Sequence, residues 1–77
     1  MSYVKWYYRI CIDINDGING LITVPLDYVD LENANKVFDL LTFSDTVIDA
    51  RLYSMSNGSI HKLRRTLSKE IFNPENN

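Results

Sequence analysis

Taken in steps of two from Val4, the chain reads Val4, Trp6, Tyr8, Ile10, Ile12 and Ile14, all of them apolar. Between them lie Tyr3, Lys5, Tyr7, Arg9, Cys11 and Asp13. Successive side chains of a strand point to opposite faces, so this period of two predicts a half-buried strand from Tyr3 to Ile14. One face must enter a core, and the other can meet water or a partner. Asn15-Asp16-Gly17-Ile18-Asn19-Gly20 follows, rich in residues that tolerate turn conformations. Leu21-Ile22-Thr23-Val24-Pro25-Leu26 then predicts a second strand, closing an antiparallel hairpin. Pro25 cannot donate to a ladder, which places that strand at a sheet edge or close to its own end.

From Leu31 the period changes. Leu31, Ala34, Val37, Phe38 and Leu41 form a stripe at helical spacing, with Glu32, Asn33, Asn35, Lys36 and Asp39 on the opposite side. Asp30 is the natural N-cap, and Glu32 puts negative charge in the first turn, where the helix dipole favours it. The helix fades around Thr42 to Asp45. A third strand is predicted over Thr46 to Ser54, where Ile48, Ala50 and Leu52 alternate with Val47, Asp49, Arg51 and Tyr53.

Past Ser56-Asn57-Gly58-Ser59 two readings compete. Asn57-Gly58 is a strong signal for a two-residue hairpin, which makes Ile60 onward a fourth strand. Ile60, Leu63, Leu67 and Ile71 nevertheless fall at helical spacing, with Ser59 available as a cap. His61 and Lys62 oppose that helix by placing positive charge at its N-terminal end. The helical spacing is the preferred reading. It gives a single α+β domain over residues 1–72, in the order β-β-α-β-α: a small antiparallel sheet with helices packed on one face. Residues 73–77 are expected to fray.

Composition adds limits. At 77 residues, with 45% hydrophobic and 23% charged positions, the chain is an ordinary globular domain near the lower size limit for folding alone. Cys11 is the single cysteine, so no internal disulfide forms; it reads as a half-buried filler. Without a signal peptide or an apolar run long enough to span a bilayer, the expected location is the reducing cytoplasm. The net charge of −2 hides an asymmetry: residues 1–50 sum to 3 − 8 = −5, and residues 51–77 to 5 − 2 = +3. The molecule is expected to be dipolar, which bears on partners rather than on fold.

Residues suited to catalysis are not grouped. The Asp13 to Gly20 segment looks superficially like a calcium loop, but neither glycine, taken as the sixth loop position, leaves acidic residues at both the first and last positions. His61 is the sole histidine and has no Cys close by in sequence. There is no phosphate-cradling glycine loop and no Gly-x-Ser-x-Gly nucleophile motif. The chain reads as a non-enzyme that needs no cofactor and no metal.

Binding surfaces are easier to name. Tyr3, Lys5, Tyr7 and Arg9 lie in a row on one side of the first strand, joined by Tyr53 from the third. Tyrosine and arginine are enriched where proteins meet, so these five are the expected partner contacts. An edge strand offers a symmetric homodimer contact. A second surface is the basic stripe of the expected last helix, Lys62, Arg64, Arg65 and Lys69, which suits a nucleic-acid backbone. A third is acidic: Asp27, Asp30, Glu32, Asp39, Asp45 and Asp49 surround the first helix. A small nucleotide held between protomers is a further alternative. By profile, the chain suits a small viral or mobile-element protein that inhibits a host defence protein by occluding its surface, with a nucleic-acid-binding regulator as the alternative. No membrane association is expected.

Overall fold

The alternation that passes through Ile10 and Ile12 builds β1 (Trp6–Asn15), which sits inside a single four-stranded sheet. The computed structural model describes residues 5–15, 17–18 and 20–69. Around β1 the chain adds β2 (Leu21–Tyr28), the helix α1 (Leu31–Leu41), β3 (Val47–Ser56) and β4 (Ser59–Ser68). The sheet order is β2-β1-β3-β4, and every neighbouring pair is antiparallel. Pro25 therefore lies in an edge strand, where its missing donor disturbs the ladder least. Because β2 and β3 both run antiparallel to β1, they are parallel to each other. Their connection carries α1 across one face of the sheet.

That face holds the core. Register places Ile10 opposite Leu52 and Leu26, and Ile12 opposite Ala50 and Val24. Ala34 and Phe38, one turn apart on α1, descend onto Ile10, Ile12, Val47, Ala50 and Leu52. Phe38 is 2% exposed, so its truncation to Ala would cost about 3–5 kcal/mol. The helix starts where its cap says it should: Asp30 Oδ1 accepts the amide of Glu32 at 3.1 Å. Its last turn carries no cation of its own. Lys69, just past β4, supplies one by donating to the carbonyls of Leu41 and Ser44.

The C-terminal segment corrects the expectation. Among the described residues the order is β-β-α-β-β, with one helix, and the described part of the stretch expected to form a second helix is β4. The deciding element is the turn: Asn57 has φ 51° and Gly58 φ 86°, two consecutive positive values that mark a primed hairpin turn. Asn57 also fastens the start of β1. Its side chain accepts from the Lys5 amide at 2.8 Å, and its amide donates to the Lys5 carbonyl at 3.0 Å.

The helical spacing of Ile60, Leu63 and Leu67 has another cause. Ile60 lies opposite Met55 and Leu63 opposite Tyr53, so β4 spends three residues where β3 spends two. Between Leu63, opposite Tyr53, and Arg65, opposite Leu52, β4 again spends one residue more than β3. The first bulge stretches a two-residue step into the three between Ile60 and Leu63; the second adds a residue to the step from Leu63 to Leu67, which crosses to the other face. Ile60 and Leu63 end on the face away from the helix, while Leu67, opposite Ala50, packs on the core. The expected Ile71 of that stripe and the expected frayed tail 73–77 lie outside the described residues.

Candidate protein-docking face

The face away from α1 is formed by the odd-numbered positions of β1. Tyr7, Arg9, Cys11 and Asp13 lie opposite Met55, Tyr53, Arg51 and Asp49 on β3. On the other side Arg9, Cys11 and Asp13 lie opposite Asp27, Pro25 and Thr23 on β2. Among the described residues no helix crosses this face. It is here called the open face.

Four of the five expected contact residues gather on it; Tyr3 lies outside the described residues. Tyr7 is clasped between two cations, with Lys5 Nζ 5.7 Å and Arg9 Cζ 5.6 Å from its ring centroid. Such contacts hold a ring in a fixed orientation at small cost. Arg9 is itself fixed by a two-point fork to Asp27, Nε to Oδ1 at 2.7 Å and Nη2 to Oδ2 at 3.0 Å. The fork's hydrogen bonds hold the Asp27 carboxyl below the usual carboxylate range and raise the Arg9 guanidinium further above its own, against an opposing desolvation at both groups. Tyr53 stands directly across from Arg9.

Beside this row lies an apolar group of Met55, Ile60 and Leu63, the last two of which were expected on a helix. Met55 is 2% exposed although it faces away from the core, flanked by Tyr7 on β1 and Ile60 on β4. Ile60 and Leu63 are 61% and 49% exposed. Their role was concealed by their spacing; the Asn57-Gly58 turn was the signal that could have found them. At the far end of the face, Arg51 bridges two carboxylates, 3.6 Å from Asp13 and 3.8 Å from Asp49, and Thr23 donates to Asp13 at 2.6 Å. Half-buried Cys11 lies between Pro25 and Arg51.

No family model, curated protein or solved structure matches this chain. Its surfaces must be read from their own chemistry.

The four residues of the expected basic stripe lie on, and just past, a strand rather than on a helix. Arg65 turns onto the helix, with Cζ 4.4 Å from the Phe38 ring centroid and Nη2 donating to Asp39 at 2.7 Å. Lys69 is held at the end of the same helix. Arg64, at a bulge, donates to Ser54 Oγ at 3.0 Å and so satisfies a hydroxyl that is only 3% exposed. Lys62, opposite Ser54 on β3, is exposed, as is Arg64. Nearby, His61 is exposed on a strand rather than on a helix, edge to face with Trp6 at 4.9 Å.

The acidic residues divide in a similar way. Asp30 caps α1, Asp39 receives Arg65, Asp27 receives Arg9, and Asp49 lies near Arg51. A shallow pocket of about 200 Å³ lined by Lys5, Tyr7, Asp27, Tyr28 and Val29 opens at the margin of the open face. It is smaller than the roughly 300–1,000 Å³ of ordinary small-molecule sites. Among the described residues no three His, Cys, Asp or Glu side chains are grouped to hold a metal ion, and no helix is long and apolar enough to cross a membrane. Asn15 Oδ1, in the segment weighed as a calcium loop, accepts the Gly17 amide at 3.0 Å, as in an Asx turn.

Proposed function

We propose that this protein is a non-enzymatic binding module that works by laying its open face over the surface of a protein partner and so occluding it. The observation that carries this reading is the Tyr7 ring clasped between Lys5 and Arg9, with Tyr53 opposite and exposed Ile60 and Leu63 alongside. Aromatic and arginine side chains around an apolar centre are what well-bound interfaces place at their energetic centre. Fixing Arg9 and Tyr7 beforehand also reduces the side-chain entropy lost on docking. The nucleic-acid alternative is the less favoured reading, since Arg65 and Lys69 are engaged with α1.

The test is capture from the native cell lysate on the immobilised full chain, with and without nuclease. A partner that survives nuclease and is lost from the Tyr7→Ala, Arg9→Ala double variant supports the reading, provided that urea unfolding shows the variant folded. Undiminished capture by that variant overturns it, and so does material released wholly by nuclease.

A further inference from the structure

Resting on the reading of the open face as a docking surface, we infer that its occupant in the free protein is a second copy of this chain. The two sheets would stack face to face with their strands running in opposite directions.

The first argument is charge. Among the described residues the open face carries Lys5, Arg9 and Arg51 against Asp13, Asp27 and Asp49, so 3 − 3 = 0. The charges are unevenly placed. Arg9 and Asp27 close on each other in mid-face, leaving Lys5 at the end that holds Tyr7, Met55, Ile60 and Leu63. At the other end Arg51 serves both Asp13 and Asp49, which leaves one negative charge over. A face that is positive at one end and negative at the other is complementary to itself when turned end for end about a two-fold axis. The two-fold then brings Lys5 of each copy toward the carboxylate end of the other.

The second argument is area. Four strands about 4.8 Å apart, mostly ten residues long at about 3.3 Å per residue, give a footprint of about 600 Å² per copy. About 1,200 Å² in total reaches the lower end of specific interfaces, and face-to-face sheet packing is a common architecture. A contact through the sheet edges is less suitable: Pro25 interrupts one edge strand and two bulges distort the other. Covering the two ion-paired groups has a desolvation cost, so the dimer is weak, with Kd on the order of micromolar. A weak dimer of this kind shields Ile60 and Leu63 until a tighter partner displaces the second copy.

Sedimentation velocity on the full chain, from about 1 to about 500 µM, tests this. The expected result is a monomer–dimer equilibrium that Leu63→Glu and, separately, Ile60→Glu abolish, while both variants keep a cooperative unfolding transition. Lys5→Glu should raise Kd about tenfold, because it sets a carboxylate against the acidic end of the other copy. A monomer at every concentration overturns the inference. So does a dimer untouched by either glutamate variant, which would use another surface. A dimer indifferent to Lys5→Glu overturns the reversed arrangement. These outcomes are separable from those of the docking reading. A strict monomer that still loses its partner through Tyr7→Ala, Arg9→Ala leaves that reading intact, and a dimer whose double variant still captures the partner overturns that reading alone.

Discussion

Arg65→Ala separates a strand from a helix at the C-terminal segment by a stability measurement. Helical spacing would set Arg65 on the solvated side, where a substitution costs no more than about 0.5 kcal/mol. In β4 the same side chain lies over the Phe38 ring at 4.4 Å, an interaction of about 0.5–2 kcal/mol depending on desolvation. Its Asp39 contact at 2.7 Å involves side chains 36% and 64% exposed, so it is treated as a surface pair of about 0.2–1 kcal/mol. The contacts to the Asn35 carbonyl and Oδ1, at 3.4 and 3.3 Å, are long and add little. The expected loss is about 2 kcal/mol, or a fall in Tm of about 10 °C for a chain of this size. Urea unfolding should show a lower midpoint at an unchanged m-value. Arg65→Lys, which keeps the charge but neither the planar stack nor the two nitrogens that reach Asp39 and Asn35, should recover less than half of the loss. A double-mutant cycle with Phe38→Leu should give a coupling of at least about 0.5 kcal/mol. An Arg65→Ala loss under about 0.5 kcal/mol would refute the docking of β4 on α1.

Two further perturbations test the turn and the fork. Gly58→Ala places a side chain at φ 86° with open space around it, so the cost is one of backbone alone, about 1–2 kcal/mol. D-alanine at Gly58, introduced by chemical synthesis, should restore the wild-type midpoint; equal losses from both enantiomers would mean that the turn is not of this type. Asp27 is depressed below its unfolded pKa of about 4 through the Arg9 hydrogen bonds, so its contribution is full above that pH and is lost as pH falls through the folded value. Asp27→Asn should therefore lower Tm at neutral pH and converge with wild type in acid, once pH has fallen through the folded value. Parallel Tm curves down to pH 2 would contradict the fork.

What the sequence revealed depended on whether a signal was local. The alternation through Ile10 and Ile12 and the cap at Asp30 act within a few residues, and both emerge in place. Tyr7, Arg9 and Tyr53 share a face by the same alternation. The Arg9–Asp27 fork was hidden, because cross-strand register depends on how the hairpin loop closes and not on either strand alone. Ile60 and Leu63 were misread for a different reason. A bulge adds a residue without leaving a compositional mark, so their three-residue step imitates a helix. The Asn57-Gly58 turn carried the better information because both residues suit positive φ, a local requirement that spacing cannot override.

The sheet order also bears on how fast the molecule can form. Its two hairpins close over short connections, residues 16–20 and 57–58, but they meet only along β1 and β3, whose partners lie 47 − 14 = 33 to 56 − 6 = 50 positions apart. Hairpins close in about 1–10 µs, yet an isolated one is marginal in water. Joining β1 to β3 requires a chain closure roughly ten times longer, an added entropic cost of about 2 kcal/mol. The rate-limiting event is therefore expected along this seam, with the hairpins flickering on either side of it. During synthesis, β1 and β2 leave the ribosome before β3 exists. Ile10 and Ile12 then wait for α1 to cover them and for Leu52 and Ala50 to arrive alongside.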